Sequence, residues 1–142
     1  MACSDSDDDP IPVSFANGIA SGDPSQNAVI LWTRAVPDNA TFAGAITIAW
    51  EVASDQAFTN LITSGEAQTS AAQDYTLKVD AQGLNPGTQY FYRFSSGGTS
   101  TAVGVTKTLP QGTVSSAKMA VMSCSNYPAG YFNVYDMATQ EA

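Results

Sequence analysis

Histidine is absent from the 142 residues of this chain, and cysteine occurs only at Cys3 and Cys124. The first absence removes Ser-His and Cys-His nucleophilic chemistry and every histidine-ligated metal site. Two cysteines at opposite ends of the chain make no disulfide framework. Cations are also scarce: 5 Lys and Arg stand against 13 Asp and Glu, for a net charge of −8. That balance repels phosphate backbones and anionic lipid, which argues against nucleic acid as a specific partner. No apolar run approaches the length needed to cross a bilayer. No phosphate-binding G-x-x-x-x-G-K-[ST] loop is present, and Gly97, Gly98 and Gly104 fall in or just beyond an expected hairpin turn. A cysteine phosphatase needs an arginine just beyond its nucleophile, and Gly130 stands in that place. Asp5, Asp7, Asp8 and Asp9 form an acidic run without the glycine and spaced ligands of a calcium loop, so they read as a solvated tether.

What is present is a charge-poor globular composition, 44% hydrophobic and 13% charged. A chain of this size buries roughly two-thirds of its unfolded surface, enough for a core without covalent staples. From residue 13 to 110 short alternating runs are separated by turn residues, the pattern of an all-β sandwich. "NAVILWTR" (27–34) reads as one strand. "AITIAWEVAS" (45–54) reads as another, with Ile46, Ile48, Trp50 and Val52 on its inner face, so that Trp50 is a structural core residue. "YTLKVDAQ" (75–82) sends Tyr75, Leu77 and Val79 inward and Thr76, Lys78 and Asp80 outward. "GLNPGTQYFYRF" and "TAVGVTKTLP", joined by "SSGGTS", predict a hairpin. In the first of these, a leucine, a Pro-Gly turn and then Tyr90 opening a strand match a tyrosine corner, whose phenol bonds upstream backbone and fixes a crossover between sheets. The stretch resembles fibronectin type III domains and makes Tyr90 structural.

The pattern changes after Pro110. Residues 111–117, "QGTVSSA", read as a linker. Residues 118–142 begin with "KMAVMSC", a continuous apolar run expected of a strand buried in a parallel sheet. "SNYPAG" turns, and Tyr131, Tyr135 and Ala138 recur at helical spacing. A strand, turn and helix is the opening unit of an α/β domain, and one such unit lacks partners for its backbone hydrogen bonds. Cys124 closes the predicted strand. Two readings of it stand: a small buried hydrophobe, or a thiolate ligand at the carboxyl end of a strand, where ligands gather in α/β sheets.

Five segments together carry a wider resemblance: "FANGIASGDP" (15–24), "VILWTR" (29–34), "WEVASDQAF" (50–58), "GLNPGTQYFYRF" and "SCSNYPAGYFNVY". In order and spacing they resemble the PhoD-like phosphatases, the alkaline phosphatase D family. The resemblance implies a secreted enzyme that cleaves phosphomonoesters and phosphodiesters. Its amino-terminal fibronectin-like sandwich precedes a larger metallophosphatase domain that binds Fe3+ and Ca2+. It also implies that Cys124, the cysteine of an S-C-x-N-Y type motif, is an iron ligand. The family's other ligands, in a G-D-Y type segment and further acidic and asparagine positions, match nothing in these 142 residues. Catalytic residues are therefore expected to lie outside this chain, which by itself is expected to be inactive and to bind no cofactor.

Residues 1–12, "MACSDSDDDPIP", resemble a lipoprotein amino terminus, with Cys3 as the lipidated residue and a repelling acidic tether behind it. The same stretch also reads as an acidic leader with an incidental cysteine. The lipoprotein reading places the protein outside the cytoplasm: secreted, periplasmic or held at the cell envelope through Cys3. Asn39-Ala40-Thr41 fits the glycosylation triplet, which is common by chance. A lone apolar strand at 118–124 is expected to associate with a neighbouring chain. Two rival readings remain. The sandwich is also compatible with a free-standing extracellular module that binds sugar or protein, although such a module has no use for "MAVMSCSNYPAGYFNVY". A purple acid phosphatase fragment would share the domain plan, but an aspartate is expected where Cys124 stands.

Overall fold

The computed structural model describes residues 11–123, 126, 128 and 130–140. The chain divides into two compact units, Met1–Gly112 and Thr113–Ala142. The first holds ten strands: β1 (Val13–Ser14), β2 (Ile19–Gly22), β3 (Ala28–Arg34), β4 (Val36–Pro37), β5 (Ile46–Ala53), β6 (Leu61–Thr69), β7 (Thr76–Gln82), β8 (Gln89–Ser96), β9 (Thr99–Ser100) and β10 (Gly104–Lys107). Two antiparallel sheets result, in the orders β2-β3-β7 and β10-β8-β5-β6, with β9 paired to β8 and β1 paired to β4 in a short ribbon.

Strict alternation explains why these sheets close on one another. Val29, Leu31 and Thr33 of β3 and Leu77, Val79 and Ala81 of β7 are buried, as are Ile46, Ile48 and Val52 of β5 and Tyr90, Tyr92 and Phe94 of β8. The apolar members form one hydrophobic cluster drawn from both sheets, a β-sandwich core. The strands expected at 27–34, 45–54 and 75–82 are all present, and Tyr75, Leu77 and Val79 face inward as the alternation predicts. Trp50 departs from that pattern. It packs against the core but stays half-buried, over Gly65 of β6, where an added Cβ would sit 2.8 Å from the indole. The predicted hairpin forms through Gly97 and Gly98, both at positive φ (56° and 80°) as a two-residue turn between right-twisted strands requires.

Tyr90 makes the bond its position predicts. Its phenol oxygen accepts the backbone N–H of Asn85 at 2.8 Å, and the residue is 1% exposed. Thr108, equally sequestered, ties the same corner to the chain beyond β10: its hydroxyl donates to the Asn85 carbonyl at 2.6 Å and accepts the Thr88 N–H at 3.0 Å. Tyr75 closes another corner by donating its hydroxyl to the Phe42 carbonyl at 2.6 Å. Burial pushes the Tyr92 phenol above its ordinary pKa, opposed by a hydrogen bond with Ser21. Every buried side-chain polar atom among the described residues has a partner.

The second unit contains one helix, α1 (Asn133–Gln140). The strand expected over 118–124 does not form at Lys118–Ser123, which is neither helical nor paired. The reason is physical: a parallel strand forms only where neighbours accept its N–H and C=O groups, and none does so among the described residues. No described helix is long and apolar enough to cross a membrane.

Candidate functional site

Residues 118–140 are built from apolar side chains that nothing in their own unit covers. Met119 is 86% exposed, Val121 91% and Tyr131 93%. Between Lys118–Met122 and the Val134, Met137 and Ala138 side of α1 lies an open groove of about 780 Å³. Tyr131 precedes the helix rather than joining its periodic face, since α1 starts only at Asn133. Ala138 does fall on the half-buried side. Phe132 and Tyr135 stack obliquely, 5.7 Å between ring centroids. Within the last turn Thr139 donates its hydroxyl to the Asp136 carbonyl at 2.7 Å.

Cys124, the predicted iron ligand, lies outside the described residues. So do Cys3, the predicted lipidation site, and the acidic positions Asp5, Asp7, Asp8 and Asp9. Among the described residues no three Cys, Asp or Glu side chains come together in a way that could hold a metal ion. A hard trivalent ion needs several anionic ligands, so the described part of this chain offers no complete metal centre.

Two arginine-centred clusters on the sandwich were not foreseen. Arg93 on β8 faces Glu51 on β5, with Nε to Oε2 at 2.6 Å, and its guanidinium lies 4.1 Å from the ring centroid of Phe58. Phe58 is held at a φ of +57°, a region bulky side chains rarely occupy. Its loop is braced by Asp55, whose carboxylate accepts the backbone N–H groups of Ala57 and Thr59 at 3.1 Å and of Asn60 at 2.8 Å. The Thr59 and Asn60 bonds, more than partial burial opposes, hold the Asp55 carboxyl below its ordinary pKa. At the other sheet Arg34 donates to Asp74 Oδ1 at 2.7 Å, to the Asp74 carbonyl at 3.0 Å and to Asn17 at 3.1 Å. These contacts brace Asp74 and Tyr75, both at positive φ. Both ion pairs are partly solvated, and both serve loop geometry rather than any assembled reaction centre. Asp55 alone had a local signal, because Ser-Asp beside a strand end is common turn chemistry. The arginine contacts depend on strand register.

The family model described as "PhoD-like phosphatase, N-terminal domain" matches residues 2–110. Alkaline phosphatase D of Bacillus subtilis (strain 168) is 37% identical over 133 residues, which cover 89% of this chain and 23% of that protein. A solved structure of PhoD superposes with a TM-score of 0.78 at 34% identity, covering 90% of this chain and 26% of that one. The chain thus spans about a quarter of the length of these two relatives. A human fibronectin type III domain, from the KIAA0970 protein, is similar in fold alone: 12% identity, a TM-score of 0.50, and coverage of 83% and 85% of the two chains.

Proposed function

Because this chain belongs to the PhoD-like phosphatase family, we propose that it is the amino-terminal portion of a secreted, metal-dependent alkaline phosphatase and phosphodiesterase. One observation carries the reading: the likeness is longer than the sandwich. The family model ends at residue 110, whereas the Bacillus subtilis relative aligns with 89% of the chain, so the similarity continues into the segment containing Cys124. The rival reading, a free-standing binding module, leaves that continuation without a purpose.

In this proposal phosphomonoesters and phosphodiesters are the substrates of the parent enzyme, and its metals are Fe3+ and Ca2+. Bound metal ions would supply charge to hold the phosphate oxygens during transfer. Cys124 would anchor the iron as a thiolate and would not attack phosphorus. Its partners would come from elsewhere in the parent protein, which is why the 142-residue chain alone is proposed to be inactive. The sandwich would serve as a supporting domain, with no nucleic acid as its own partner given the net charge of −8. Cys3 would carry a lipid that holds the acidic tether at the cell envelope, and the apolar 118–124 segment would be the part that associates with further protein.

The parent enzyme tests the central assignment. Cys124→Ala and Cys124→Ser are each expected to lower iron content, read by elemental analysis, together with hydrolysis of a chromogenic phosphodiester. Normal iron and full activity in Cys124→Ala would sink the ligand assignment.

A further inference from the structure

Every open sheet must deal with its outer strands, because their free N–H and C=O groups are templates for another chain. Three of the four outer strands here are guarded. β2 and β10 have 4 residues each and lie beside one another, close enough that a Cβ on Gly104 would meet Ile19 Cδ1 at 2.8 Å. β7 carries Lys78 and Asp80, both exposed. β6 is different. At 9 residues it is the longest strand described, it pairs along its length with β5 alone, and it holds neither proline nor lysine. Glu66 is its only charge, and Leu61 and Ile62 at its start are 49% and 42% exposed.

We propose that β6 is a docking edge that takes the β6 strand of a second copy of this chain, antiparallel, extending the β10-β8-β5-β6 sheet across a two-fold axis. The strand is self-complementary in the way such an isologous contact requires. Centred on Gly65, the pairing sets Glu66 against Ser64, Thr63 against Ala67 and Ile62 against Gln68, so no like charges oppose each other. Gly65, whose lack of a side chain accommodates Trp50 within the sheet, also leaves the centre of the edge free of bulk. Long-range repulsion is weak, because residues 13–110 hold seven carboxylates and four cations, a net −3 of the chain's −8.

Sedimentation velocity of the 142-residue chain, from micromolar to millimolar concentration, tests the edge. A monomer that gives way to a dimer is expected. Ile62→Glu with Ser64→Glu adds carboxylates beside Glu66 on the outer face, so that any antiparallel self-pairing near Gly65 opposes like charges. This double variant is expected to raise the dimer dissociation constant at least about tenfold with an unchanged melting temperature. A chain monomeric throughout overturns the proposal, as does a dimer that survives this variant or dissolves instead with Met119→Asp/Val121→Asp. Hydrogen exchange of the unsubstituted chain gives a check free of folding effects: protection at Leu61–Gln68 must rise with concentration, and protection independent of concentration contradicts the pairing.

Discussion

Val29–Trp32 and Met119–Met122 are both four-residue apolar runs, yet they have opposite fates. The first lies within β3, hydrogen-bonded to β2 on one side and β7 on the other, with Val29 and Leu31 at 1% and 0% exposure. The second forms no ladder, and Met119 and Val121 stand almost fully open. Side-chain hydrophobicity is the same kind of signal in both. What differs is the supply of neighbouring backbone groups, without which apolar side chains alone do not make a strand.

The contrast can be sharpened by substitution. Phe94→Ala, at 0% exposure in the shared core, is expected to lower unfolding stability by about 3–5 kcal/mol. Val121→Ala is expected to stay within about 0.5 kcal/mol, as exposed substitutions usually do. Urea unfolding of both variants checks the pair, and similar losses would show that the 118–122 run is packed in solution. Tyr90→Phe keeps the ring but leaves the Asn85 N–H without its phenol partner, for an expected loss of about 1–3 kcal/mol by the same measurement. If that loss is absent, the corner is held by Thr108 instead.

The smallest effect concerns pH. The Asp55 carboxyl is held below its ordinary pKa chiefly by the Thr59 and Asn60 N–H groups. A group depressed on folding contributes stability above its unfolded pKa, and that contribution fades as the pH falls through the folded value. Asp55→Asn is therefore expected to be slightly less stable than the parent at neutral pH and to converge with it in acid, below the ordinary aspartate range. A stability difference that persists in acid would assign the effect to loop geometry rather than to charge.

Much of the sandwich was legible because its signals are local. Alternation placed Ile46, Ile48, Leu77 and Val79 inside, and Leu84, Pro86, Gly87 and Tyr90 announced the corner. Trp50 was legible as an inward residue but not as a half-buried one, since that depends on β6 offering Gly65 opposite it. Arg93 with Glu51 and Phe58, and Arg34 with Asp74, bring together residues far apart in sequence. The candidate iron ligand was legible only through the resemblance of the segment around it, because a lone cysteine has no spacing to read.

By itself the sequence determined the strand periodicity, the corner, the hairpin turn and the exclusion of histidine chemistry, all consequences of residue type and short-range order. The tertiary structure decided which apolar runs became strands, which outer strand was left open, and which carboxylates met which arginines. Those outcomes rest on hydrogen-bonding partners and register supplied by distant parts of the chain, and a sequence window contains neither.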